Sequence, residues 1–384
     1  MYITTYTNPF KKQQIKTSYL DIMLNTAEDN IDIITTPTNE YSKVTYKIGK
    51  PKPIDQLPAK QQADIYKITQ CIDLAFKNIY PKYVGKDLKQ FYYEFKIPKA
   101  SGGLRTINAP NEGFKTDLNN IKTLFEDIIK CLPHDSAFAY IKNRDTKQEL
   151  QRHTDNGSKW FLKIDLKDFF PSCNSVLVLS KLSNLYPFYY LSLDTMTKLG
   201  HLIDLCMLDG GLPQGTPTSP LLTNLVMVAY DYKITEFLKK CGAGYVYTRY
   251  ADDILISNKG NFDWQKILKD LAKHLEPFTI KKEKTRYGNS NGRNWNLGLM
   301  VNKDNNITLG YRKKQLLNAM LHNFLRDASK NQLWSRDDTY HLQGQLSYLK
   351  HIEPGYYDYI LQKYESKYNV TLARVIRNIL NPNI

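Results

Sequence analysis

The chain has 384 residues and a mass of 44.6 kDa, room for two or three domains with substantial cores. Its hydrophobic content of 42% excludes wholesale disorder, and no apolar run approaches the ~18 residues of a spanning helix. Lys and Arg outnumber Asp and Glu by 53 to 38, and a net charge of +15 points to a polyanionic partner, nucleic acid first. Residues 1–12 are polar and lack the apolar stretch of a signal peptide. Cys71, Cys131, Cys173, Cys206 and Cys241 are scattered without metal-type spacing, as expected of reduced thiols in the cytoplasm. The 28 tyrosines can serve as stacking platforms for bases, although most such residues fill cores.

Residues 1–58 are polar and broken by prolines, and permit no assignment. Helical spacing of Ile65, Ile68, Ile72 and Phe76 predicts a helix over 60–80. Residues 91–97 and 104–107 flank Lys99-Ala100-Ser101-Gly102-Gly103 and predict a β-hairpin, followed by a helix over 119–132. A short buried strand is expected at 160–166, breaking at Asp168-Phe169-Phe170-Pro171. Residues 212–228 begin as a Pro/Gly/Thr loop and become an apolar helix. The segments 245–248 and 254–256 form a second hairpin with Tyr250-Ala251-Asp252-Asp253 at its tip. A helix and loop over 264–287 precede a strand at 295–301, and from Tyr311 onward the pattern is helical.

Two adjacent carboxylates at a hairpin tip satisfy ordinary turn propensity, and they also suit a divalent cation. Asp165, at the end of the strand over 160–166, is placed to converge with Asp252. Two Mg²⁺ ions held between such carboxylates would lower the pKa of an attacking hydroxyl and steady a leaving pyrophosphate. The loop Gly211-Leu212-Pro213-Gln214-Gly215-Thr216-Pro217-Thr218-Ser219-Pro220 leads amides into a helix N-terminus, as a nucleotide site requires, or is a plain connector.

The segments 161–171, Leu212-Pro213-Gln214-Gly215 with Thr218-Ser219-Pro220, and Thr248-Arg249-Tyr250-Ala251-Asp252-Asp253, in this order, resemble the palm motifs of reverse transcriptases. The style is that of bacterial retron and group II intron-like enzymes, and the likeness runs from about residue 65 to the C-terminus. It implies an α+β right-hand polymerase of fingers, palm and thumb, with an RRM-like antiparallel palm and a helical C-terminal thumb. The division it implies is a polar N-terminal extension at 1–58, fingers at 59–159, a palm at 160–301 with an inserted fingers segment at about 174–208, and a helical thumb at 302–384.

By this resemblance Asp165, Asp252 and Asp253 are catalytic and, with Leu166, hold two Mg²⁺ (or Mn²⁺) ions. Lys284, in Lys282-Glu283-Lys284-Thr285-Arg286, would protonate the pyrophosphate. Phe170, five residues after Asp165, would be the steric gate against a 2′-hydroxyl, with Asp168 and Phe169 in the same nucleotide pocket. Lys99 and Arg105 would grip the triphosphate, and Gln214 and Gly215 would lie near the incoming nucleotide and template base. Tyr250 and the turn Leu297-Gly298 would touch primer and template, and Lys350, His351 and Lys363 would line a thumb that tracks a duplex.

Two departures bear on the subgroup. Retron enzymes usually carry Asn-Ala-x-x-His where this chain reads Glu149-Leu150-Gln151-Arg152-His153, and Val-Thr-Gly where it reads Asn296-Leu297-Gly298. They favour a defence-associated, antiphage reverse transcriptase over a retron enzyme making RNA-linked DNA. Template-independent or protein-primed synthesis is a further alternative, and a catalytically dead RNA-binding scaffold conflicts with the intact carboxylates. The implied partners are a dedicated non-coding RNA template, dNTPs, an RNA/DNA duplex product and a possible effector protein encoded nearby, with no membrane.

Overall fold

The computed structural model describes residues 31–35, 44–48, 53–98, 102–129, 134–291 and 293–381. An antiparallel pair, β1 (Ile31–Thr35) and β2 (Val44–Ile48), lies in the stretch that sequence left unassigned. α1 (Ala59–Ile79) starts after Pro58 and buries Ile65, Ile68, Ile72 and Ile79 along one stripe. The hairpin of β3 (Tyr92–Pro98) and β4 (Leu104–Pro110) follows, with Gly102 and Gly103 at positive φ beside its tip. α2 (Glu112–Ile129) starts earlier than expected, because the Asn111 carboxamide accepts from the Phe114 amide at 2.9 Å and caps its first turn. α3 (Thr146–Asp155) carries a capping box between Asp145 and Gln148 but buries Glu149, His153 and Thr154 beside Leu150. An apolar period cannot reveal a helix whose buried stripe is polar.

β5 (Trp160–Asp165) leads into the single turn α4 (Phe169–Ser172), then α5 (Ser175–Leu182) and α6 (Leu193–Leu205). Asn174 and Ser192 cap the last two through the Leu177 and Thr195 amides, at 2.8 and 3.2 Å. α7 (Ser219–Cys241) continues past Val228 because Tyr230, Ile234 and Leu238 keep its buried stripe going. β6 (Val246–Tyr250) and β7 (Asp253–Asn258) form the second hairpin, followed by α8 (Trp264–His274) and β8 (Arg286–Asn289). Residues 294–301 are not one strand but the short pair β9 (Asn294–Asn296) and β10 (Leu299–Val301), joined to β11 (Ile307–Thr308). Four helices complete the chain: α9 (Tyr311–Ser329), α10 (Arg336–Ile352), α11 (Pro354–Tyr368) and α12 (Leu372–Leu380).

The central sheet runs β6-β7-β5-β8, antiparallel throughout. Side chains alternate across it. Leu162, Ile164, Ile254 and Ile256 face one core with α7 and α8, while Phe161 and Leu255 face a second core shared with the C-terminal helices. Asp165 and Lys163 share the face of Phe161, and Asp253 that of Leu255, by the same parity. A sheet of this kind followed by a helical tail is the α+β arrangement expected of a right-hand polymerase. Among the described residues no helix is long and apolar enough to cross a membrane. Cys71, Cys173, Cys206 and Cys241 are free thiols.

Candidate active site

The carboxylates meet because strand register brings them together. Asp165 ends β5 directly opposite Asp253, and Tyr250 pairs with Asp253 across the turn Ala251–Asp252. Ala251 has a φ of 57° while Asp252 does not share the positive sign. That is the sign pattern of a type II′ turn, where glycine is usual, and a side chain there stores about 1 kcal/mol. The Leu166 amide donates to the Asp252 carbonyl at 3.0 Å and ties the turn to the end of β5.

Ammonium groups surround two of the three acids. Lys281 Nζ lies 2.9 Å from Asp165 Oδ1 and Lys284 Nζ 3.0 Å from Oδ2, while Lys163 Nζ lies 3.0 Å from Asp253 Oδ2. Among the described residues Asp252 has no ion pair. Burial, then repulsion from Asp253 and Asp165, raise its pKa against the opposing pull of its backbone and of Lys281. A half-buried acid facing two others is stabilised by a cation.

The donor set fits a hard divalent ion. Among the described residues no three His, Cys, Asp or Glu side chains close a ready-made cage. Mg²⁺ commonly takes one or two carboxylates and completes its shell with water and substrate phosphates, and Asp165 with Asp252 suits that pattern.

Sequence singled out Lys284 and missed Lys281, the more buried of the two at 23% against 49% side-chain exposure. The Lys281 amide also donates to the Asp165 carbonyl at 2.8 Å. Burial disfavours its charge, but Asp165 and Asp252 outweigh that and raise its pKa. Residues 282–284 form a 3₁₀ turn, in which positions i and i+3 lie on one side, and this brings Lys281 and Lys284 together on Asp165.

Beneath the turn lies a buried network that sequence did not identify. Arg249 is fully buried and donates from Nε and Nη2 to the two Asp231 oxygens, each at 2.8 Å. Its Nη1 reaches Asn224 Oδ1 and the Ala251 carbonyl, both at 3.2 Å, and the Tyr247 hydroxyl donates to Asp231 at 2.6 Å. Burial works against the guanidinium charge, yet Asp231 outweighs it and raises the Arg249 pKa.

On the opposite face, His153 is buried between Ser257 Oγ at 2.6 Å and Thr248 Oγ1 at 2.8 Å, and the Thr248 hydroxyl donates to Glu149 at 2.9 Å. Burial, with Arg152 nearby, pushes the His153 pKa down to about 3. Glu149, where the usual motif has Asn, therefore holds the same hydroxyl that His153 holds.

The loop at 211–215 is wedged between two neighbours. A Cβ on Gly211 would fall 2.1 Å from the Pro171 carbonyl oxygen, and one on Gly215, at φ 113°, 2.7 Å from Ile107 of β4. The Asn108 amide donates to the Gln214 carbonyl at 2.8 Å, and the Leu212 amide to the Phe170 carbonyl at 3.2 Å. The loop thus joins the first hairpin to the turn bearing Phe170. There Asp168 is exposed at φ 45°, Phe169 is buried and Phe170 half-buried. Arg105 is exposed on β4 opposite Ile97, and Lys99 lies outside the described residues.

Leu297 and Gly298 stand apart on their own hairpin, at φ 42° and 98°, the signs of a type I′ turn. Trp295 of that hairpin stacks on Phe161 of β5 at 5.2 Å, which couples the turn through the core to the strand that ends in Asp165.

Paired acids at the tip of an antiparallel sheet, lysines around them and a helical tail define a nucleotidyl-transferring polymerase. Residues 97–313 match the family described as reverse transcriptase (RNA-dependent DNA polymerase). The Retron Ec73 reverse transcriptase of Escherichia coli is 32% identical over 71% of this chain and 86% of that relative. The Retron Mx65 reverse transcriptase of Myxococcus xanthus is 30% identical over 68% of this chain and 62% of its own length. Among solved structures, apo telomerase from Candida tropicalis truncated from the C-terminal domain matches with a TM-score of 0.42 and 15% identity, over 57% of this chain and 55% of that one.

The chain belongs to the reverse transcriptase family. Within it the chain is of the bacterial retron type, an RNA-directed DNA polymerase.

Proposed function

We infer that the chain copies a dedicated non-coding RNA into DNA by two-metal nucleotidyl transfer, in the cytoplasm, as part of bacterial antiphage defence. The observation that carries the chemistry is the convergence of Asp165, Asp252 and Asp253, with the Asp252 pKa raised by burial and by its two acidic neighbours. Mg²⁺ bound there would supply Lewis-acid activation of the primer hydroxyl and charge neutralisation at the phosphates.

Asp165 and Asp252, with the Leu166 backbone, are the proposed ligands, and Asp253, already paired with Lys163, adds charge. Lys281 and Lys284, both ion-paired to Asp165, would give a departing pyrophosphate its proton. Arg105 and Lys99 bind the triphosphate. Gln214 and Gly215, at the junction with β4, bound the base and sugar, and Phe170 with Asp168 and Phe169 walls the pocket. Tyr250, Leu297 and Gly298 position the primer end, so that in-line geometry is held before reaction. The fingers are assigned to 59–159, the palm to 160–301 and the thumb to 302–384. An effector protein and an RNA/DNA duplex are the proposed partners.

The likeness to retron enzymes favours, as a second reading, DNA that stays joined to its RNA. The test is to purify the chain with its RNA, add Mg²⁺ and labelled dNTPs, and compare Asp252→Asn. Incorporation dependent on RNA and absent from the variant is expected. Equal incorporation by the variant would contradict the proposal.

A further inference from the structure

Phe170 is bracketed by two aromatic rings of different character. On one side Phe169, buried at 3% exposure, meets it edge-on with centroids 5.6 Å apart and is itself packed on Phe278 at 5.4 Å. On the other side Tyr140 meets it edge-on at 6.4 Å, although 55% of Tyr140 is exposed. Core packing does not account for a ring left that open.

Tyr140 also holds a left-handed backbone, φ 61°, which costs a bulky residue about 1–2 kcal/mol. The surrounding chain enforces it. Asn224 Nδ2 donates to the Ala139 carbonyl at 2.8 Å, and the Phe138 amide donates to the Arg249 carbonyl at 2.9 Å. Arg144 Nη1 grips the Ala137 carbonyl at 2.6 Å. Asn224 and Arg249 belong to the network that seats the Asp252 turn, so one scaffold positions both the acids and Tyr140. Burial, then Asp252 and Tyr250, raise the Tyr140 pKa, and Arg105 opposes them. Strain held by over-determined surroundings at a site of chemistry is a signature of function.

We propose that Tyr140 is a positioning residue for sugar discrimination: its ring braces Phe170 from the open side, so that Phe170 cannot swing aside to admit a 2′-hydroxyl. A gate works only if it is stiff, because a ring that yields by a fraction of an ångström no longer clashes with one added oxygen. Phe169 blocks one direction of escape and Tyr140 the other. The ring carries this role, not the hydroxyl. The inference rests on Phe170 being the sugar gate, and the experiment separates the two assignments.

Single-nucleotide insertion of dATP and of ATP is measured on a primed RNA oligonucleotide with the full chain. The readout is the ratio of the two kcat/KM values, and melting curves verify that each variant is folded. Phe170→Ala is expected to lower the ratio by about ten-fold or more, and Tyr140→Ala by about ten-fold through a gain with ATP. Tyr140→Phe should stay within about two-fold of the parent. The double variant should match Phe170→Ala alone, since Tyr140 acts through Phe170. A Tyr140→Ala enzyme that loses both rates equally, with an unchanged ratio, overturns the inference while the gate stands. An unchanged ratio in Phe170→Ala overturns the gate and the inference with it. A Tyr140→Phe variant as permissive as Tyr140→Ala would overturn the assignment to the ring.

Discussion

Two hairpins carry acids and the arginine of the proposed site, and they are built in opposite ways. β6–β7 is bolted down: Thr248, Arg249, Ile254 and Ile256 are buried, and Arg249 fastens its turn to Asp231 and Asn224. β3–β4 is a projecting ribbon, with Tyr93, Phe95, Ile97 and Leu104 exposed and its root held by the Asn108–Gln214 bond and the Gly215 contact. Metal ligands must hold position to a fraction of an ångström, whereas a group that closes on a triphosphate has to move. The rigid hairpin has Asp252 and Asp253, and the projecting one the cation, Arg105.

The largest effect should come from breaking the bolt. Asp231→Asn leaves the Arg249 guanidinium buried without its counter-ion, a loss of about 3–5 kcal/mol. Thermal unfolding should show a large drop in Tm together with lost activity. A variant as stable as the parent would mean that the pair is not the foundation of the turn.

His153 gives a pH test of the same foundation. Its folded pKa of about 3 lies below the unfolded value near 6.5, so acid protonates the unfolded chain first. The contribution is complete above about pH 6.5 and is lost on the order of 1 kcal/mol per unit as pH falls toward 3. Denaturant titrations of the parent and of His153→Gln between pH 7 and 5 should show a shallower slope in the variant, and parallel slopes would remove His153 from the account.

The projecting hairpin is tested at its root. Gly215→Ala places a methyl where φ is 113° and Ile107 is 2.7 Å away, so it should loosen the docking of β4. A several-fold rise in the KM for dNTP is expected, with a stability loss of about 1–3 kcal/mol, smaller than that of Asp231→Asn. An unchanged KM would uncouple the loop at 211–215 from the hairpin.

The same contrast governs what was legible in the sequence. Apolar periodicity located α1, β5 and the β6–β7 hairpin, because their buried faces are rich in Ile and Leu, while β3–β4 was marked by the Gly102-Gly103 turn between its two runs. It missed α3, whose buried stripe is Glu149, His153 and Thr154, and it ran β9 and β10 together because their turn is only Leu297-Gly298. The acids were legible because strand parity and a turn suffice to place them. Arg249, Asp231 and Lys281 were not, since what makes each matter is a partner distant in the chain: Asp231 lies in α7 and Asp165 in β5, far from Lys281. Tyr140 was hidden because a positive φ at a tyrosine has no sequence signal.

The three acids are proposed to carry unequal weight, a proposal about the metal site: Asp165 and Asp252 form the metal pair, and Asp253, ion-paired to Lys163, adds charge beside them. Its most direct test is the Mg²⁺ dependence of dNTP incorporation by Asp165→Asn, Asp252→Asn and Asp253→Asn, side by side with the parent. The first two should lose on the order of 10³-fold in rate at every Mg²⁺ concentration, and Asp253→Asn should keep measurable activity. Full activity in Asp252→Asn, or complete loss confined to Asp253→Asn, would contradict the account.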